Sequence, residues 1–423
     1  MPSFRLSSRI NWFQSHSEAH SDGHNSLLHL AANNSQSGTM ELLFRKGASI
    51  DKDNNSLLHC AAEKGYTETV KLLLDKGAQI EAIDIDGCTP LHVAAKNGHP
   101  SVIKLLLDNG SSIEASNIDG DTPLCVAVKS GHSSVIKLLL DKGASITNNN
   151  PLHLATENGH TDVVELLLAK GASIGARDKD GYTPLHLAAK NDHPSIIKLL
   201  LKKGASVEAL SKNDNTALHL AALKGHTGTV ELLLEKGASI GTKREDVNTP
   251  LHMAAQGGHT GIVELLLDRG ASIKAENWVS DTPLHLAAYR GHTAVVELLL
   301  RQGASIRSRN KYGSTPLHGA ALGGRTGIIE LLLTRGALIN AMDSDRDTPL
   351  HNAARNGRTA VVELLLEKGA SLEVKNWSDK TPLHWAEQEG HTDTVQLLKN
   401  KAAELPVRDT RRRSRFMASI FGR

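Results

Sequence analysis

Histidine is the residue type in this 423-residue chain best suited to chemistry, and there are 22 of them. Imidazole ligates zinc and moves protons near neutral pH. Eleven share one context, each following a leucine: His29, His59, His92, His153, His186, His219, His252, His285, His318, His351 and His384. Eight more, among them His99, His226 and His292, occupy a Gly-His turn position. So regular a placement points to a structural role. Only His16, His20 and His24 stand apart, and their i, i+4 spacing could set them on one helix face. No Cys or paired carboxylate accompanies them, so no metal site and no cofactor is expected.

Other chemistry fares no better. Cys60, Cys88 and Cys125 form neither a CxxC pair nor an even framework, which argues against structural zinc or a disulfide staple. Cys125 takes one of the histidine positions and reads as a buried, inert thiol. There is no Gly-rich phosphate loop opening a helix, no GxSxG elbow and no HExxH. Asp and Glu recur with the repeat and read as turn and surface residues. A non-enzyme is expected.

The elements that carry these histidines repeat. Thr-Pro-Leu-His occurs at Thr89–His92, Thr183–His186, Thr249–His252, Thr282–His285, Thr315–His318, Thr348–His351 and Thr381–His384. Counting Cys125 with the eleven histidines gives twelve positions, and nine of the eleven intervals are 33 residues. In each unit Thr suits a helix N-cap, Pro suits the first helical position, and His at the third can reach back to the cap. Leu286, Ala287 and Ala288 continue a short first helix, which Gly291 ends in the left-handed region. Val295 to Leu300 then form a second helix apolar nearly all round, which only sandwiching between neighbours would bury. An extended stretch and tight turn, here Asn310 to Gly313, lead to the next unit.

A 33-residue unit of this phrase resembles the ankyrin repeat, over roughly residues 22–400. The resemblance implies an all-α solenoid of stacked helix-turn-helix units with protruding hairpin-like turns. It also implies protein partners held by the turn tips and the concave face of the first helices. Residues 1–21 are expected as a lead-in, 22–402 as twelve repeats and 403–423 as a basic tail. Repeats one and twelve depart from the pattern as capping units should, with Asn33 to Gln36 at one end and Lys399 at the other. The connection before repeat two is three residues short and that before repeat five is five short, so repeat five lacks its finger. That gap is expected to divide the binding face, leaving repeats six to twelve as its longer part.

Aromatic residues are only 3% of the chain. Of the six between residues 178 and 399, Tyr182, Trp278, Tyr289, Tyr312 and Trp377 fall at tip or inner-face positions, and Trp385 takes a leucine position read as core. Tyr, Trp and Arg are enriched at interface hot spots because they cover much area with little entropy loss. With Lys190, Arg290, Lys311 and Arg355 they form the expected partner-binding set, and Trp278, Tyr289, Arg290 and Tyr312 are expected to make one anchoring patch. The alternative is that these rings brace neighbouring fingers.

Formal charge is +2, but residues 401–423 carry +5, with Arg411, Arg412, Arg413 and Arg415 at their centre. Such a run fits an import signal, a nucleic-acid or anionic-membrane contact, or a solvated tail. Ser414 after three arginines fits a basic-directed kinase. Residues 1–20 overlap in composition with a transit peptide, while Trp12 and Phe13 could instead pack before the first repeat. No apolar run reaches the length of a membrane span. The resulting expectation is a monomeric cytoplasmic adaptor or scaffold that binds protein, with a nuclear or nucleic-acid-associated regulator as the alternative.

Overall fold

The computed structural model describes residues 23–404 apart from 47, 49, 51–54 and 242–246. Among the described residues twenty-four α-helices follow one another in twelve pairs, from Gly23–Asn33 and Ser37–Arg45 to Pro382–Gln388 and Thr392–Glu404. Among the described residues there is no strand. The fold is an all-α repeat solenoid, as the sequence led us to expect. The described residues fall into two compact units, one ending at Ala176 and holding repeats one to five, the other beginning at Arg177 and holding repeats six to twelve.

Within each unit the first helices pack on one another from repeat to repeat, and so do the second helices. The first helices are thin because they are built from alanine: Ala254, Ala255, Ala287, Ala288, Ala320 and Ala321 are fully buried. The second helices supply the bulk, with Val263, Leu266, Val296 and Leu299 likewise buried. Each such leucine contributes on the order of 2 kcal/mol, and only because its neighbours cover it.

The Thr-His phrase is a cap and a link at once. In repeat eight the Nδ1 of His252 accepts from the Thr249 backbone N–H at 3.1 Å, so in the neutral ring the proton sits on Nε2. That nitrogen donates across to the Asp281 carbonyl, 2.9 Å away and 29 residues on. The same box forms at Thr89, Thr183, Thr216, Thr249, Thr282, Thr315, Thr348 and Thr381. Burial pushes the imidazoles of His92, His186, His219, His252, His285, His318 and His351 below the ordinary range, to about 4 for His219, His252 and His318.

The Gly-His turns join repeats a second time. Nε2 of His292 donates to the Gln256 carbonyl at 2.9 Å, satisfying the exposed end of the preceding first helix. Gly258 stands opposite with φ +81°, and a Cβ there would lie 2.4 Å from the His292 ring. Glycine is thus required by its neighbour's histidine as well as by its own backbone. Arg325 and Arg358 replace the histidine in repeats ten and eleven and still reach back, Nε to the Tyr289 and Leu322 carbonyls at 3.2 Å.

Before repeat five the shortened connection is closed by Asn149 and Asn150, both left-handed. The last helix runs on to Glu404 as thirteen residues where the other second helices have nine, and Lys399 pairs with Glu387 at 2.8 Å.

Candidate interaction surface

The fingers that precede repeats nine to twelve are built alike. Asn277, Asn310, Asp343 and Asn376 each use Oδ1 to accept the backbone N–H groups two and four residues ahead, which closes the turn. The amide nitrogens of Asn310 and Asn376 then donate to Asp281 and Asp347 of the preceding finger at 2.8 Å. Asp343 has no such donor, and burial, with Asp345 and Asp347 nearby, pushes its carboxyl up to about 6.

The finger tips are hydrogen-bonded in series. Lys311 N donates to the Val279 carbonyl, Ser344 N to that of Tyr312, and Trp377 N to that of Asp345, at 2.9 to 3.0 Å. This ladder holds the tip side chains at a regular step. Trp278 and Tyr312 stay 64% and 55% exposed, and the Lys311 ammonium lies between them, 4.2 and 5.1 Å from the ring centres. One finger on, Arg346 lies 5.0 Å from the ring of Trp377, whose Nε1 donates to the Ser344 carbonyl at 3.1 Å. Arg346 stands at the left-handed turn position of its finger, with φ +62°, as Ser280, Gly313 and Asp379 do in theirs.

The inner helices carry the other candidates. Tyr289 and Arg290 end the first helix of repeat nine, both exposed, with the guanidinium 5.6 Å from the ring. Tyr182 is half-buried against His186, its ring 5.7 Å away, and Lys190 lies 5.8 Å from it. Arg355 stands over Trp385 at 4.4 Å.

The fingertip group of Trp278, Lys311 and Tyr312 and the helix-end pair of Tyr289 and Arg290 belong to different elements. Val279, next to Trp278 on the same finger, is buried. One sequence expectation needs correction, that for Trp385. Trp385 is not core: it is half-buried, with Arg355 and Lys380 over its ring at 4.4 and 4.2 Å and its Nε1 donating to Asp347 at 3.3 Å. The signal was present in the sequence, since the same position holds Gly319 and Asn352 in the two preceding repeats.

No group of three metal-ligating side chains occurs among the described residues. Burial pushes all three thiols above their ordinary range. His16, His20 and the tail arginines 411, 412, 413 and 415 lie outside the described residues, as does the side chain of His24. Among the described residues no helix is long and apolar enough to cross a membrane.

Twelve helix pairs, with closed fingers between most of them, define a helical-repeat protein whose exposed aromatic and cationic groups sit on fingers and first helices. A family model described as ankyrin repeats (3 copies) matches residues 7–84, 81–150, 146–211, 208–277, 276–343 and 338–409. The chain belongs to the ankyrin-repeat family. No curated protein matches it.

Proposed function

We propose that this chain is a non-catalytic adaptor that binds a protein partner through the finger tips and inner helices of repeats six to twelve. Ankyrin repeats are in general protein-interaction modules. One observation carries the assignment to this surface: large aromatic side chains, scarce in the chain, stand exposed on fingers that the backbone ladder already holds in place. A rigid aromatic side chain on an ordered loop loses little entropy on binding. Such residues are poor choices for bracing, because most of the Trp278 and Trp377 surface faces solvent.

Affinity purification with mass spectrometry on the full chain and on the W278A/Y289A/Y312A variant tests this. A protein recovered by the first and lost by the second supports the surface. Equal recovery by both, with a lower melting temperature for the variant, would show that these rings brace the array and bind nothing.

A further inference from the structure

Arg290, Lys311, Arg346 and Arg355 form no ion pair among the described residues. Each is instead laid over an aromatic ring, and Lys380 shares the Trp385 ring with Arg355. A ring face attracts a cation without neutralising it, so the charge remains available to an incoming anion. It also restricts a long side chain that would otherwise lose rotamer freedom on binding. Lys311 and Arg346 sit on consecutive fingers of the hydrogen-bonded ladder, and Arg355 follows on the first helix of repeat eleven.

We propose that the fingers and inner helices of repeats nine to twelve dock an extended acidic segment of a protein partner. This rests on the adaptor reading and names the chemistry of what is bound. Stacked repeats lie about 8–10 Å apart, and an extended chain advances about 3.3 Å per residue. An acidic side chain at about every third position therefore meets successive cations, while the residues between them cover the exposed faces of Trp278, Tyr312 and Trp377. Arg346 and Arg355 can each take a carboxylate through two parallel N–H donors. Exposed Asp345 and Asp379 alternate with these cations. A peptide can place neutral residues opposite them, whereas a nucleic-acid strand, with one phosphate per ~3.4 Å, cannot.

The test pans the immobilised full chain against a displayed random library of about twelve residues, enough to pass four repeats at ~3.3 Å each. Synthetic copies of the selected peptides, and a single-stranded oligonucleotide of similar length, are then titrated by fluorescence anisotropy. We expect Asp or Glu enriched at about every third position, and affinity reduced about tenfold or more by K311E/R346E/R355E with unchanged circular dichroism. If charge reversal disturbs folding, K311Q/R346Q/R355Q provides the same comparison with a smaller loss. Neutral or apolar peptides whose binding ignores both variants would overturn the acidic segment and leave the adaptor reading standing. A library with no selected peptide would likewise overturn the acidic segment, while the adaptor reading is decided by the purification with the W278A/Y289A/Y312A variant. An oligonucleotide that binds as tightly and is lost with the same variants would replace the protein segment by nucleic acid.

Discussion

The two compact units are written in one 33-residue pattern but use their charged residues differently. In the unit ending at Ala176, Lys142 and Lys170 reach back to Asp108 and Asp141 of the preceding repeat at 2.8 and 2.6 Å, and Lys129 pairs with Asp121. Its exposed large apolar finger side chains are aliphatic, Ile83, Ile85 and Ile118, and they alternate with exposed Asp84, Asp86 and Asp119. In the unit beginning at Arg177, Lys190, Arg290, Lys311, Arg346 and Arg355 on the fingers and first helices lie over aromatic rings. Among the described residues of the first unit, the one comparable contact is Lys76, 5.9 Å from Phe44. Ion pairs between repeats serve the stack itself. A cation on an exposed ring adds only about 0.5 kcal/mol to the stack and keeps its charge, and this is why the second unit carries the proposed site.

The units also differ in their histidine links. All seven repeats of the second unit have the Thr-His box, whereas in the first unit repeat three has it and repeat four puts Cys125 in the histidine's place. Acid should therefore separate them most strongly. His219, His252 and His318 titrate at about 4 in the fold against 6.5 when unfolded. Their contribution is complete above pH 6.5 and declines as pH falls through 6.5 toward 4, because the unfolded chain takes up the proton first. By pH 5 each is expected to lose on the order of 2 kcal/mol. Hydrogen exchange at pH 7 and pH 5, corrected for intrinsic rates and resolved by peptide, should show the greater loss of protection in repeats seven, eight and ten. Equal losses in repeats three to five would end the distinction.

A substitution at one repeat position in each unit narrows this to single residues. His252→Ala strands the Thr249 N–H and the Asp281 carbonyl and should cost about 3 kcal/mol. Cys125→Ala removes a buried thiol whose hydrogen bonds are weak, and should cost about 1 kcal/mol. Urea denaturation followed by circular dichroism, with exchange to locate the damage, compares the two. Similar costs would mean that the histidine acts by packing alone.

The helices, their caps and the alanine-lined stack were legible because each rests on residue types recurring at fixed spacing. The histidine's reach back to Thr was also readable, since both partners lie within four residues. Its second bond was not, because the acceptor is a carbonyl 29 residues away and a carbonyl carries no sequence signature. The need for Gly258 against the His292 ring escaped for the same reason. Tip residues were found as a set, yet which of them meet depends on finger conformation. Trp385 was misplaced because a position that is leucine in repeats six and seven was assumed to be core throughout.

The smallest expected effect bears most directly on the contrast between the units. Lys142→Ala removes an ion pair to an Asp108 carboxyl that lies at the surface, held below its ordinary range chiefly by its hydrogen bond to Lys142. Salt screens such a pair, so any fall in melting temperature should be visible only at low ionic strength and vanish at high. Lys311→Ala removes a cation stacked between two rings, a contact of about 0.5 kcal/mol at an exposed site and less sensitive to salt. Both variants should therefore unfold nearly as the parent does, while only Lys311→Ala weakens binding of the acidic peptides selected on the full chain. A Lys142→Ala variant that weakened those peptides equally would show that net charge, and not cations fixed on aromatic rings, governs binding.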